Sequence, residues 1–456
     1  MKSRDMEDLL KDALSRVNEE RVVKLVCDLV DIPSTTGQER ECAEYLVRYM
    51  REMGLETRLQ EITDRRANAI GMLKGTGEGP ILMFNGHLDT ACTGIEEEDY
   101  AAMGPLPAGY KPKSYLKNGY IFGLGANNMK GGVGAAVAAL EALLQTGVKL
   151  KGDVIVTGVA GESEKSPVQG AIRSYRGDRY QGGGYGTRYL VTHGPIPDYA
   201  VVCEPSGCYV VNAQTGYFFI KIAIKGKAAY QATRGPGFRG INAIEKACSL
   251  IEGLRQWDSE YARLHTYDSG MGIIEPHLTI GAIEGGWPYK PSYSTAICNL
   301  YVDLRVTPAM NPREALDELE AVLRRIAAAD PQLKYDVEVY ASNVPATMTS
   351  PENNLIRACL RARELVLGQK QEKFPLGMAS AYNDSNIFRQ HGIPALKCGP
   401  SGGKVPPEAQ GLLDEGERLS IRDLVSAARI YVALVLDMCS KTRSEIKQLG
   451  GELSVS

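Results

Sequence analysis

The sequence predicts an α/β fold, a mostly parallel sheet covered on both faces, interrupted by a smaller α+β domain. Three observations predict it. Short buried strands alternate with amphipathic helices in the first part of the chain. That pattern changes after Asn212, where strands become longer and alternate in polarity, and it returns after about residue 342. Finally, 456 residues are too many for one compact core, so two domains are expected.

The elements follow in order. Residues 21–30 and 38–53 have helical apolar spacing and are separated by Ile32-Pro33-Ser34, which breaks a helix. Residues 69–73 and 81–84 are apolar runs of strand length. A long Ala-rich helix is expected from near Met129 to Gln145. Residues 154–159 and 199–203 are two more buried strands. The second style begins with a strand at 218–224, a helix at 241–257 and strands at 277–283 and 296–306. Asn311 then opens a helix over 312–328, and 335–340 is a last strand. Strand-helix-strand-strand-helix-strand is the split order of a ferredoxin-like domain. A helix at 352–366, a strand at 395–398 and a helix at 421–438 complete the first style. The expected domains are therefore 1–213 and 342–456 as one discontinuous unit and 214–341 as the insert. There is no internal repeat, and the glycine clusters at 182–184 and 401–403 read as loops next to function.

Composition narrows the function. Hydrophobic content is 44%, charged content 23% and net charge -3, which predicts neither nucleic acid nor a membrane as partner. Ten cysteines lie scattered, Cys203 and Cys208 being the closest pair, as in a cytoplasmic protein with reduced thiols. Met1-Lys2-Ser3-Arg4-Asp5 leads into an amphipathic helix rather than an apolar signal core, so no export signal is expected. No apolar run is long enough to span a bilayer.

Four segments carry chemistry. Gly86-His87-Leu88-Asp89 follows a buried strand. His and Asp two apart point the same way, so the Asp can hold one ring nitrogen while the other faces a metal. The loop 123–132 contains Asn127, Asn128, Met129 and Lys130 and runs into a helix N-terminus. Gly161-Glu162-Ser163-Glu164 and Cys203-Glu204-Pro205-Ser206 each end a strand. Ligands of open α/β sheets bind outside the carboxyl ends of strands, where all four segments can converge.

With these motifs the chain resembles the zinc-dependent exopeptidase and deacylase superfamily of acetylornithine deacetylase, succinyl-diaminopimelate desuccinylase and carboxypeptidase G. The resemblance covers nearly the whole chain. It implies a catalytic domain of zinc-exopeptidase type with a ferredoxin-like dimerisation insert. It also implies roles for single residues. His87 matches a ligand of the first metal and Asp89 the residue that orients it. Asn128 stands where the family has an Asp bridging two metals. Glu162 matches the general base, whereas Ser163 stands where the family has a second-metal Glu, with Glu164 one step late. Glu204 matches the remaining acidic ligand of the first metal. The family's last His has no counterpart near Leu413, and Tyr230 stands where the insert's His reaches into the partner's site. Arg305 matches an arginine associated with substrate carboxylates.

The departures at Asn128, Ser163 and Leu413 all weaken the second metal site. One loosely held divalent ion (Zn, Mn, Co or Fe) is therefore expected on His87, Glu204 and the Asn128 amide, with Glu164 as a further candidate and a second metal not expected. Such an ion can acidify a water beside Glu162. Tyr230 as a hydrogen-bond donor to developing charge competes with a structural tyrosine, and Arg305 as a carboxylate clamp competes with pairing to Asp303. Asn128 also suits helix capping. A specificity loop is expected over 180–193, with Tyr185 and Arg188 within reach of a flat substrate. His193 is a reserve ligand, His265, His277 and His391 read as structural or exposed, and Lys130 as a loop anchor without chemistry.

The expected function is metal-dependent hydrolysis of a C–N (amide) bond in a small carboxylate-bearing, hence anionic, substrate. Two alternatives stand beside it. One is hydrolytic deamination of an activated arylamine, as in the related 5-nitroanthranilate aminohydrolase. The other is a non-catalytic binding protein on a hydrolase scaffold. A homodimer or larger homo-oligomer is expected through the insert, with the strand at 218–224 and the helix at 241–257 as candidates.

Overall fold

The computed structural model describes residues 3–170, 181–233, 240–403 and 407–449. Met1, Lys2 and Tyr180, where the expected N-terminal stretch and specificity loop begin, lie outside the described residues. In chain order the main elements are α1 (Ser3–Ser15), α2 (Glu19–Val30), α3 (Arg40–Glu52), β1 (Glu56–Glu61), β2 (Ala67–Leu73), β3 (Leu82–His87), α4 (Gly131–Thr146), β4 (Val154–Val159), α5 (Tyr185–His193) and β5 (Tyr199–Val202). The insert holds β6 (Gly216–Lys225), α6 (Ala243–His265), β7 (Leu278–Gly285), β8 (Ile297–Val306), α7 (Pro312–Ala328) and β9 (Lys334–Asn343). The chain returns with α8 (Asn354–Leu367), α9 (Ser385–Gln390), β10 (Ala395–Lys397) and α10 (Ile421–Cys439).

The main sheet has the order β1-β2-β4-β3-β5-β10. Its β4-β3-β5-β10 part is parallel, and β2 runs antiparallel to both its neighbours. β3, β4 and β5 are buried along their whole length, as expected of strands covered on both faces. α3, α4 and α10 cover one face, where Phe84 meets the Tyr431 ring at 4.7 Å. α5 and α9 lie on the other, over Asn85 and Thr157. The fit of α4 is close: a Cβ on Gly132 would sit 2.0 Å from the Cys203 carbonyl oxygen. This glycine lets the helix carrying the Asn128 loop approach the strand end that leads to Glu204.

The insert has its own core, in which Leu250, Leu254, Trp257 and Tyr261 of α6 and Leu319, Val322 and Leu323 of α7 pack on one face of a four-stranded antiparallel sheet. The sheet order is β7-β8-β6-β9, so the first strand lies between the third and the fourth, as in a ferredoxin-like fold. The strand expected at 218–224 to be an edge is therefore interior, paired on both sides along β6. The exposed edges are β7 and β9. α6 outruns its expected end at Trp257 because apolar spacing continues to Tyr261, while Asp258 is satisfied by accepting from the Leu278 N–H at 2.7 Å.

Other differences have local causes. The segment expected as a loop over 180–193 contains α5. Once past the left-handed Gly184, Thr187, Leu190 and Val191 fall at helical spacing and are buried. β1 escaped notice because Glu56–Glu61 is polar and half-exposed. A separate small sheet joins Tyr115–Lys117, Tyr120–Phe122 and Arg418–Ser420. No described helix is long and apolar enough to cross a membrane.

Candidate metal centre

His87 is the last residue of β3, Glu162 and Glu204 follow β4 and β5, and all three are buried. Their ligating atoms lie within 4.8 Å of one another. His87 Nε2 stands 3.2 Å from Glu204 Oε1 and 3.7 Å from Glu162 Oε2. The side-chain oxygen of Asn128 is 3.2 Å from the same ring nitrogen.

Asp89 supports this arrangement differently from expectation. The His87 Nδ1 hydrogen bond goes to the Asp89 backbone carbonyl at 2.8 Å, with the carboxylate 3.4 Å away. That carboxylate accepts from the backbone N–H groups of Glu162 (2.9 Å) and Ser163 (3.2 Å) and from the Thr36 hydroxyl (2.9 Å). It therefore fixes the Glu162 segment as well as the histidine. A proton on Nδ1 leaves the Nε2 lone pair facing the acids, which is the tautomer a metal requires.

The electrostatics are those of a cation site. Burial pushes Glu162 well above the usual carboxylate range, with His87 opposing and the charges of Glu204, Asp384 and Asp89 adding. Burial alone lowers the His87 imidazole, but its hydrogen bonds to the carboxylates of Asp89 and Glu204 outweigh it and raise the group well above its usual value. Burial likewise opposes ionisation of Asp89, yet His87 and the Glu162 backbone hold that carboxyl below its ordinary range. With the amide oxygen inward, Asn128, Glu204 and His87 turn three lone pairs toward one point, which a divalent cation satisfies. Turned over, the amide nitrogen donates to His87 Nε2 at 3.2 Å and to Glu204 at 3.2 and 3.3 Å, closing the cluster without an ion. The donor set of imidazole, carboxylates and amide thus fits a divalent transition-metal ion.

Four expected residues lie elsewhere. Glu164 turns away from the cluster to a bidentate pair with Arg305, at 2.6 and 2.8 Å, and is not placed as a ligand. Arg305 is also bound by Asp303 at 2.7 Å, so two carboxylates saturate its donors and it is not poised to grip a substrate carboxylate. Tyr230 lies on the insert, with its ring 5.2 Å from that of Tyr293 and 5.1 Å from the Lys290 ammonium. Arg188 projects from α5 into a polar cavity. Among the remaining residues, Leu413 is exposed, and His193 stacks on Tyr189 at 3.9 Å and bonds its carbonyl. Lys130 anchors its loop on the Leu29 and Ile32 carbonyls, at 2.8 and 3.0 Å.

Two residues were not anticipated. Asp384, at the start of α9, is a fourth buried acid beside the cluster. It accepts from the Thr187 hydroxyl at 2.6 Å, and burial pushes it up to about 6. Glu417, just before the strand Arg418–Ser420, accepts from the backbone N–H groups of Gly125 (2.8 Å), Asn127 (3.0 Å) and Asn128 (2.8 Å). An isolated Asp in Asn383-Asp384-Ser385 has no spacing to mark it. Glu417 stood in a segment read only for its missing His.

A sequence profile described as Peptidase family M20/M25/M40 matches residues 83–437. The N-formyl-4-amino-5-aminomethyl-2-methylpyrimidine deformylase of Halalkalibacterium halodurans is 25% identical, over 94% of this chain and 98% of the relative. A probable succinyl-diaminopimelate desuccinylase of Staphylococcus epidermidis is 25% identical over 58% of each chain. Among solved structures, a tripeptidase from Staphylococcus aureus superposes with a TM-score of 0.68 at 19% identity, covering 93% of this chain and 100% of the other.

Proposed function

The chain belongs to peptidase family M20/M25/M40, and from that premise we propose a metallohydrolase that cleaves a carbon–nitrogen bond in a small carboxylate-bearing substrate with a single divalent ion. The observation that carries the proposal is the convergence of Glu162, Glu204 and the Asn128 amide on His87 Nε2, at 3.7, 3.2 and 3.2 Å, from three strand ends and one helix start. His87, Glu204 and Asn128 would hold the ion, and a divalent cation bound there would polarise an acyl oxygen and acidify a water. Glu162 is placed to take a proton from the attacking water and to return it to the departing nitrogen, so a single carboxyl serves as base and then acid. Its raised affinity for a proton suits the second role. Asp89 keeps His87 and the Glu162 backbone in register through the contacts above.

The single ion follows from the donors present. Ser163 supplies no carboxylate, Glu164 is spent on Arg305, and Asn128 brings no charge to bridge a second cation. The deformylase relative points to a small acyl group on an amine as the substrate class. A second reading, hydrolytic deamination of an arylamine, draws support from the Tyr217 and Tyr382 rings, 5.4 Å apart edge to face, both of which feel the Glu162 charge. Residues 214–341 then serve as lid and dimerisation domain, with Tyr230 offered toward the partner's site. Ten free thiols suit a reducing, cytoplasmic setting.

The test loads the full chain with Zn, Mn, Co or Fe, dialyses it and measures ion content. Release of formate, succinate, amino acid or ammonia is then followed from N-formyl and N-succinyl amines, dipeptides and arylamines. Metal-dependent turnover with no more than one retained ion per chain is expected, and Glu162→Gln should cut turnover by about 10²- to 10⁴-fold while leaving ion content unchanged. Two tightly held ions would overturn the mononuclear centre. Metal-independent ligand binding, indifferent to Glu162→Gln, would identify a non-catalytic binding protein instead.

A further inference from the structure

Between α5 and the segment that follows β9 lies a polar cavity of about 350 Å³, outside the cluster described above. Its walls include Lys165, Gly183, Arg188, Tyr217, Asn343 and Gln390, and no acidic side chain lines it among the described residues. Two donors there lack acceptors. The half-buried Arg188 guanidinium forms no hydrogen bond or ion pair among the described residues, in contrast to the saturated Arg305. Asn343 is 2% exposed; its Oδ1 accepts from Gln390 Nε2 at 3.0 Å, but its Nδ2 has no partner. A native protein leaves few buried donors unmet, and a wall that carries both an amide and a guanidinium without partners among the described residues marks the place of an acceptor.

The cavity also has a definite relation to the cluster. Tyr217 forms part of its wall. The same ring lies 5.4 Å from the Arg305 guanidinium, and after burial the charges of Glu164 and Glu162 are what raise its hydroxyl. A molecule with one end at Glu162 and the other in the cavity would therefore pass along Tyr217.

We propose that this cavity is a subsite for a carboxylate of the substrate, remote from the bond cleaved, gripped by the two parallel N–H groups of Arg188 and capped by the Asn343 amide. The assignment of that carboxylate to a substrate rests on the hydrolase reading. The anion site itself rests on Arg188 and Asn343. A planar two-oxygen anion matches a guanidinium fork better than a tetrahedral one matches three scattered donors.

Calorimetric titration of succinate into the full chain, first metal-free and then metal-loaded, tests this, with the ion titrated separately into each variant. Succinate should bind the metal-free protein. Arg188→Gln and Asn343→Leu should each weaken it about tenfold or more while leaving ion affinity unchanged. Arg188→Gln alters a side chain with no hydrogen-bond partner among the described residues, so it decides the matter if Asn343→Leu fails to fold. No succinate binding by the metal-free protein, unchanged affinity in Arg188→Gln, or tighter binding of inorganic phosphate than of succinate would overturn the subsite. Loss of ion binding with succinate binding intact would instead defeat the metal centre and leave the anion site standing.

Discussion

Asn128 is the residue on which the strength of the metal centre turns. It supplies an oxygen but no charge, 3.2 Å from His87 Nε2. Asn128→Asp should tighten ion binding about tenfold or more, because one added charge beside a divalent ion exceeds the roughly 1.4 kcal/mol that a tenfold change requires. Titration of Zn or Mn into the two proteins measures it. Asp384 offers a pH test. Its carboxyl is raised from 3.8 to about 6 in the folded chain, chiefly by burial. The folded state thus holds that proton more tightly than the unfolded chain does. Its stabilising contribution is complete below about pH 4 and is lost as pH rises through 6, on the order of 3 kcal/mol. Chemical unfolding of the metal-free protein should show this fall between pH 4 and 6, and Asp384→Asn should flatten it. His87, Glu162 and Glu204 were legible as residues at strand ends and Asn128 as one before a helix, and their roles came from the family resemblance. Asp384 was not legible, because nothing in its neighbours signals that a short helix will carry it under the sheet.

Among the elements, the helix-start loop and the small sheet form one device. The strand Arg418–Ser420 pairs with Tyr120–Phe122 and so brings Glu417 beneath three consecutive-region backbone N–H groups of the Asn128 loop. Without that acceptor the loop loses the partners that aim Asn128. Glu417→Ala should therefore weaken ion binding about 10- to 100-fold, the usual cost of removing an outer support. Calorimetry on the variant checks it, with circular dichroism to show that helix content is kept. The strong elements were readable in the sequence: β4 and α7 have their expected limits, and Asn311 caps α7 by accepting from the Arg313 N–H. The weak ones were not, since a three-residue strand carries too little periodicity to distinguish it from loop.

For the molecule as a whole, the insert sheet leaves β7 and β9 as edges, and β7 carries Ile283, which is 53% exposed. An apolar edge of this kind favours pairing with a second copy. Light scattering at micromolar concentration should give a dimer, and Ile283→Lys should shift it to monomer without lowering the unfolding temperature of the isolated subunit. β7 has an edge open to such pairing and the strand at 218–224 does not, because the insert's topology encloses β6 between β8 and β9.

The sequence by itself determined the alternation of strands and helices, the split order of the insert and the strand ends that carry His87, Glu162 and Glu204. Each of these is written in apolar periodicity and turn residues over a few consecutive positions. Only the tertiary structure decided that Glu164 pairs with Arg305, 141 residues away, and so turns from the His87 cluster, while Arg188 forms no ion pair among the described residues and Asp384 joins the acids. Which charges meet depends on how the insert and α5 pack against the main sheet, a relation between distant segments that no local pattern encodes.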